Sequence, residues 1–232
     1  MRNDHACSDP TAPDFLPGAH FHFLTPLYEL LAWPMLGGVW RAMADDVCRT
    51  AQPGATVADF GCGPATVLRQ VAAERPDLEL VGVDIDAQML AISRRRLPGA
   101  RLLQGSVAAV PIEDASIDVV VSSLVFHHLP RDVKQGAFRE ARRVLKPEGL
   151  FFLCDFSMPT TRSGAWLVGL FGRFESGVAS QATGELQELA EAESISITPR
   201  WTCWGCITQH EIRVQPLRTG VPSSFISGQG LV

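Results

Sequence analysis

The feature that most constrains this chain is an alternation. Between residues 56 and 154, short apolar runs take turns with segments of helical period. The runs at 56–60, 78–83, 100–104, 117–122 and 150–154 have strand length. The run at 117–122 is almost wholly apolar, as a central parallel strand covered on both faces must be. Between the runs, 65–74 sets Val67, Leu68 and Val71 on one helical face. Residues 87–96 form a second helical segment, and 131–145 a long one closed by a turn at Lys146-Pro147-Glu148-Gly149. Strand and helix in this order predict an α/β fold, a mostly parallel sheet with helices on both faces.

The flanks read differently. Residues 1–17 are rich in proline, aspartate and small side chains and are expected to be flexible, as is the tail at 216–232. A single domain is expected over 18–215. It opens with two N-terminal helices over 18–51, broken at 34–38. Residues 157–183 hold Trp166, Leu167, Leu170 and Phe171 among glycines and read as a lid, and 184–193 as a further helix. Two strands, 199–204 and 207–214, are joined at Gly205 by a link short enough to make an antiparallel hairpin.

Charge and cysteine usage narrow the classes. The net charge is −5, and phosphate backbones are bound by clustered Lys and Arg. Arg139, Arg142, Arg143 and Lys146 fall at helical spacing and read as a solvated face, so no nucleic-acid partner is expected. The first twenty residues carry Asp4, Asp9 and Asp14 and no basic start followed by an apolar core. The most apolar stretch, 21–40, is interrupted by Pro26, Glu29 and Pro34, so no membrane span is expected. Six cysteines lie scattered without a framework, as reduced thiols of a cytoplasmic protein do.

The motif with chemical content is Asp59-Phe60-Gly61-Cys62-Gly63, between a strand and a helix. Glycines at 61 and 63 let the backbone turn sharply and approach a ligand, and free amides at the next helix start suit polar groups. The following strand ends at Asp84, placed to accept hydrogen bonds from both hydroxyls of an adenosine ribose. Asp86 suits the cap of the next helix, which leaves Asp84 for the ribose. A nicotinamide dinucleotide is disfavoured, because Thr66 stands where its third glycine belongs. Asp59, ahead of the first glycine, matches an ammonium group better than a pyrophosphate.

With these residues the chain resembles class I S-adenosylmethionine-dependent methyltransferases, of the ubiquinone/menaquinone-biosynthesis type. The matching segments are Leu24-Thr25-Pro26-Leu27-Tyr28-Glu29, Asp59-Phe60-Gly61-Cys62-Gly63, Val83-Asp84-Ile85-Asp86, Phe126-His127-His128-Leu129 and Arg143-Val144-Leu145-Lys146-Pro147-Glu148-Gly149-Leu150. The resemblance implies a Rossmann-like seven-stranded sheet in the order 3-2-1-4-5-7-6, last strand antiparallel, with an N-terminal helical cap. It implies S-adenosyl-L-methionine as cofactor. Asp59, Gly61, Cys62 and Gly63 would then hold the methionine end, Asp84 the ribose, and Ile85 the adenine face. Ser106 and Val107 would border the adenine, and Ser122 the sulfonium end. Relatives usually carry an acid where Ser106 stands.

Methyl transfer from a sulfonium needs alignment and dryness more than a strong catalytic group. His127 follows the fourth strand, where the acceptor pocket is expected, and is the candidate base. Tyr28 is a second catalytic candidate, on a helix that relatives fold over the cofactor. Phe21, Phe23, Trp33, Phe126, Phe156, Trp166 and Phe171 suggest an apolar or aromatic small-molecule acceptor. Two alternatives stay open: Cys203-x-x-Cys206 as thiolates for a metalloid acceptor, and a protein that binds the cofactor without transfer. No metal site is expected, since Cys203 and Cys206 have no second nearby pair.

Overall fold

A computed structural model describes residues 25–173, 176–193 and 195–213, with the side chains of 25–35 and 176 excluded. The expected flexible segments, 1–17 and 216–232, lie outside the described residues. The core of the fold is a seven-stranded sheet in the order β3-β2-β1-β4-β5-β7-β6. Its strands are β1 (Thr56–Phe60), β2 (Glu79–Asp84), β3 (Arg101–Gln104), β4 (Ile117–Ser123), β5 (Leu145–Phe156), β6 (Ser196–Cys203) and β7 (Ile207–Arg213). Strands β1 to β5 pair in parallel, whereas β7 runs antiparallel to both β5 and β6.

The parallel strands are apolar because both faces are covered. On one face Val57, Val119, Val121, Phe152 and Cys154 pack under α1 (Thr25–Thr50), α2 (Thr66–Glu74) and Leu90 of α3 (Ala87–Arg96). On the other, Phe60, Val83, Val120 and Phe151 pack under α4 (Arg131–Val144) and α7 (Glu185–Ala192). Two short helices, α5 (Arg162–Phe171) and α6 (Ser176–Gln181), occupy the region expected to form a lid.

Two boundaries differ from the sequence reading. The expected break at 34–38 is absent, and α1 runs through Pro34 as one helix. A proline inside a helix costs about 3 kcal/mol. Here Leu36, Val39, Met43 and Val47 are all buried, and each fully buried side chain of this size contributes about 1.5–3 kcal/mol. Tertiary packing therefore outweighs the local penalty. The turn expected at Lys146-Pro147-Glu148-Gly149 lies inside β5 instead. Leu145 already pairs with Ile117, and Leu150 with Val119, so the intervening residues bulge from the ladder. Lys146 Nζ holds the bulge to Asp118 at 2.7 Å.

Buried polar contacts fasten the helices to the sheet. Asp46 of α1 accepts hydrogen bonds from Trp201 Nε1 (3.0 Å) and Gln209 Nε2 (2.6 Å) on the terminal strands. Lys134 of α4, itself buried, reaches Gln181 and Glu185. The residues read as a basic solvated face are tied to the chain's own acceptors: Arg139 to Glu193, Arg143 to Glu140 and Asp114. No helix among the described residues is long and apolar enough to cross a membrane.

Candidate active site

The carboxyl ends of β1, β2, β4 and β5 share one edge of the sheet, the position where open α/β sheets receive ligands. The glycine loop leaves β1 there. Gly61 (φ 78°) and Gly63 (φ 49°) take left-handed backbone, and a Cβ on Gly61 would meet Val125 Cγ2 at 2.6 Å. Ala65, closing the turn, and Leu124, just after β4, also have positive φ. Such conformations cost of order 1–3 kcal/mol each and gather at functional edges.

The loop is a fixed shelf more than a ring of free donors. The amides of Gly61 and Cys62 both donate to the Val83 carbonyl, at 2.8 and 3.0 Å. The Gly63 amide donates to Asp84 Oδ2 at 2.7 Å. The Cys62 side chain turns from the edge into the core, where a Cβ on Gly82 would meet its sulfur at 2.8 Å. Cys62 therefore contributes backbone shape, and its thiol is not presented to a ligand.

Asp84 accepts the Asp86 amide at 2.8 Å through its second oxygen. As expected, Asp86 caps α3, accepting from Gln88 and Met89 amides. Ile85, beside it, is 41% exposed, a large apolar side chain at the rim. The Gly105 amide donates to the Asp84 carbonyl and Gln104 Nε2 to the Ile85 carbonyl. Ser106 and Val107 follow directly on this joint. Ser106 Oγ accepts the Ala108 amide at 3.2 Å, and Val107 is buried. The Ser122 hydroxyl donates to the Phe60 carbonyl at 2.8 Å and so pins β4 to β1.

Asp59 stands out by what it lacks. It is 3% exposed, and its Oδ1 has no hydrogen-bond partner among the described residues. Burial, reinforced by the Asp84 carboxylate, pushes its carboxyl up to about 8. A buried carboxyl group without a partner is costly unless a cation reaches it.

His127 and Asp155 meet at the other end of this edge. His127 lies in a single helical turn, Phe126–His128, after β4, and Asp155 near the end of β5. His127 Nδ1 lies 2.7 Å from Asp155 Oδ1, and the His127 amide donates to Asp155 Oδ2 at 3.2 Å. Phe156 stands edge-on to the imidazole at 5.0 Å and touches Phe171 of α5 at 5.9 Å. Gly177 of α6 sits directly on the His127 carbonyl and leaves no room for a Cβ.

Comparison with known proteins agrees with this geometry. Residues 58–153 match the family described as a methyltransferase domain. Over 171 residues the chain is 31% identical to the ubiquinone/menaquinone biosynthesis C-methyltransferase UbiE of Syntrophotalea carbinolica, covering 69% of this chain and 71% of that protein. The chain belongs to the S-adenosylmethionine-dependent methyltransferases. The TehB-like methyltransferase of Corynebacterium glutamicum shares the fold (TM-score 0.56, 18% identity, 81% of this chain and 98% of that one). So does a geranyl diphosphate methyltransferase in complex with GPP and sinefungin (TM-score 0.56, 14% identity, 74% and 75% covered). The chain spans only 29% of the uncharacterized 37.1 kDa transposon protein of Streptomyces fradiae and 48% of an uncharacterized methyltransferase of Oceanobacillus iheyensis.

S-adenosylmethionine is the family's cofactor, and the residues present at this edge fit it. The orphaned Asp59 oxygen matches the ammonium group, and exposed Ile85 beside Asp84 matches the adenosine. Tyr28 belongs to α1, but its side chain lies outside the described residues, as do Phe21, Phe23 and Trp33. Cys203 and Cys206 flank the hairpin turn, and burial raises both thiols, the opposite of what thiolate ligation needs. No group of three or more His, Cys, Asp or Glu among the described residues is arranged to hold a metal. Nothing in the sequence pairs Asp155 with His127. The bond to His127 joins residues 28 positions apart and becomes visible only once β4 and β5 are in register.

Proposed function

We propose that this protein transfers a methyl group from S-adenosylmethionine to a small, apolar or aromatic acceptor by in-line displacement. The observation that carries the reading is the buried Asp59 carboxyl, unpartnered at the edge where Asp84 and Ile85 offer a ribose and adenine site. The bound cofactor supplies an electrophilic methyl on a sulfonium. Asp59 neutralises the ammonium, while Gly61 and Gly63 keep side chains out of its way. Asp84 uses its remaining lone pairs on the ribose, and Ile85 and Val107 pack on the adenine. Ser106 lies at the adenine edge, and Ser122 keeps the ends of β1 and β4 together near the sulfonium. Phe156 and Phe171 help keep water from the acceptor side.

His127 is the base on the acceptor side. Its Nδ1 is bonded to Asp155, which fixes the orientation of the ring. The small-molecule reading draws support from similarity to a quinone-biosynthesis C-methyltransferase. Calorimetric titration with S-adenosylmethionine, its demethylated product and NADH tests the proposal. Binding of the first two, lost in Asp84→Ala, is the expected outcome. Heat from NADH alone would refute it.

A further inference from the structure

Helix α5 is apolar on both of its faces, a pattern that belongs to a covered helix. Its inner face, Leu167, Val168 and Phe171, packs on the core, with Phe171 against Phe156. Its outer face presents Trp166, 66% exposed, and Leu170, 39% exposed. At steps of four, four and three residues, Arg162, Trp166, Leu170 and Arg173 share one helical stripe. Arg173 continues the stripe past the helix end because Gly172 keeps right-handed helical backbone. Both arginines are exposed, and neither has an ion pair among the described residues. The helix itself holds no acidic residue, in a chain whose net charge is −5.

The stripe is held firmly. The Thr161 hydroxyl caps α5, accepting the Gly164 amide at 3.0 Å. The Thr160 amide donates to the Gly205 carbonyl at 2.8 Å. Gly164 lies so close to the hairpin turn that a Cβ there would collide with the Gly205 carbonyl. The turn thus sits against the start of α5, and it carries Trp204, 50% exposed.

We propose that this face docks the protein on an anionic lipid surface, with α5 lying in the plane of the interface. Tryptophan suits the headgroup level, where its ring is half in hydrocarbon and its N–H meets water. Arginines at both ends of the stripe lay their stems along apolar surface and turn their guanidinium groups to lipid phosphates. A second copy of the chain is a poorer occupant. A twofold interface sets one patch against itself, so arginine would face arginine with no carboxylate of α5 to answer it. The acids of neighbouring α7 are already engaged, Glu185 by Lys134 and Glu188 by Arg131. Docking of this kind is peripheral and does not depend on which reaction the site performs.

The test is co-sedimentation of the full chain with vesicles of phosphatidylcholine alone and of phosphatidylcholine mixed with phosphatidylserine. Binding is expected to the mixed vesicles, much less to the neutral ones, and it should weaken as salt is raised. Trp166→Ser should lower the partition coefficient roughly tenfold. Arg162→Gln and Arg173→Gln should each lower it roughly fivefold. Arg94→Gln makes the same change of charge at an exposed position of α3 and should leave binding unchanged. Thermal melts of all four variants should match the wild type, since each side chain replaced is exposed.

Equal binding to the two vesicle types would overturn the proposal. So would binding that survives Trp166→Ser, or a loss in Arg94→Gln as large as in Arg162→Gln. Failure to sediment with either vesicle would overturn it too, and a dimer that Trp166→Ser dissolves, seen by analytical ultracentrifugation, would then assign the face to a second copy.

Discussion

Asp59 and Asp155 stand at the same edge of one sheet, equally buried and oppositely held. Asp155 has its oxygens answered by an imidazole and two amides and is kept below the usual carboxylate range. Asp59 has an oxygen answered by nothing among the described residues and a second carboxylate nearby, and is pushed up to about 8. A carboxylate that the fold satisfies is there to act on its partner. One that the fold leaves wanting is there for something that arrives. In the proposed function, the contrast separates the acceptor half of the site from the cofactor half.

The sharpest way to break this contrast is Asp59→Asn. Deleting the charge beside a bound ammonium should cost about 3–5 kcal/mol of affinity, roughly 10²–10⁴-fold in Kd, read by calorimetry. The same change should stabilise the free protein. A folded pKa raised above the unfolded 3.8 means the native state holds the extra proton. That group's contribution is therefore favourable at low pH and is lost as pH rises from about 4 towards 8. Thermal melts without cofactor should show the Asp59→Asn advantage growing across that window. A variant that both binds and melts like wild type would dissolve the distinction.

Next in size is a third buried aspartate. Asp46 is satisfied like Asp155 but lies away from the edge, accepting from Arg49, Trp201 and Gln209. Asp46→Ala should lose about 2–3 kcal/mol, or roughly 4–12 °C in Tm, with cofactor affinity unchanged. Ser122→Ala removes one buried bond and should cost about 1 kcal/mol, measured by denaturant unfolding. Smallest of all, Cys203→Ser with Cys206→Ser should leave methyl transfer unaltered in a labelled-cofactor assay. Loss of activity there would revive a thiolate role.

Much of the local geometry at the proposed cofactor site was legible in the sequence. The glycine loop, the terminal acid of β2 and the cap at Asp86 are local features, each fixed by residues a few positions apart. The strand order came from the family resemblance, and the register matches it. The break expected at Pro34 failed because a local penalty was set against a buried stripe whose partners lie in the sheet. The strand hidden in Leu145-Lys146-Pro147 failed similarly, since only pairing with Ile117 makes Leu145 part of a ladder. Free amides were expected at the start of α2; those of Gly61, Cys62 and Gly63, just ahead of it, are committed to β2. The His127–Asp155 pair was beyond reach for the same reason: it depends on where two strands end.

The bonds from Asp46 have a further meaning in time. Its partners Arg200, Trp201 and Gln209 lie 154, 155 and 163 residues further along the chain. During synthesis α1 emerges early, carrying a carboxylate that the finished fold buries. Arg49 can answer it at once, but the indole and amide that also donate to it in the core emerge 155 and 163 residues later. The polar contacts that seat α1 against the far end of the sheet can therefore form only once the β6–β7 hairpin has been made. A nascent chain stopped before β7 would carry every residue of the glycine loop and still lack the bond from Gln209 to its first helix.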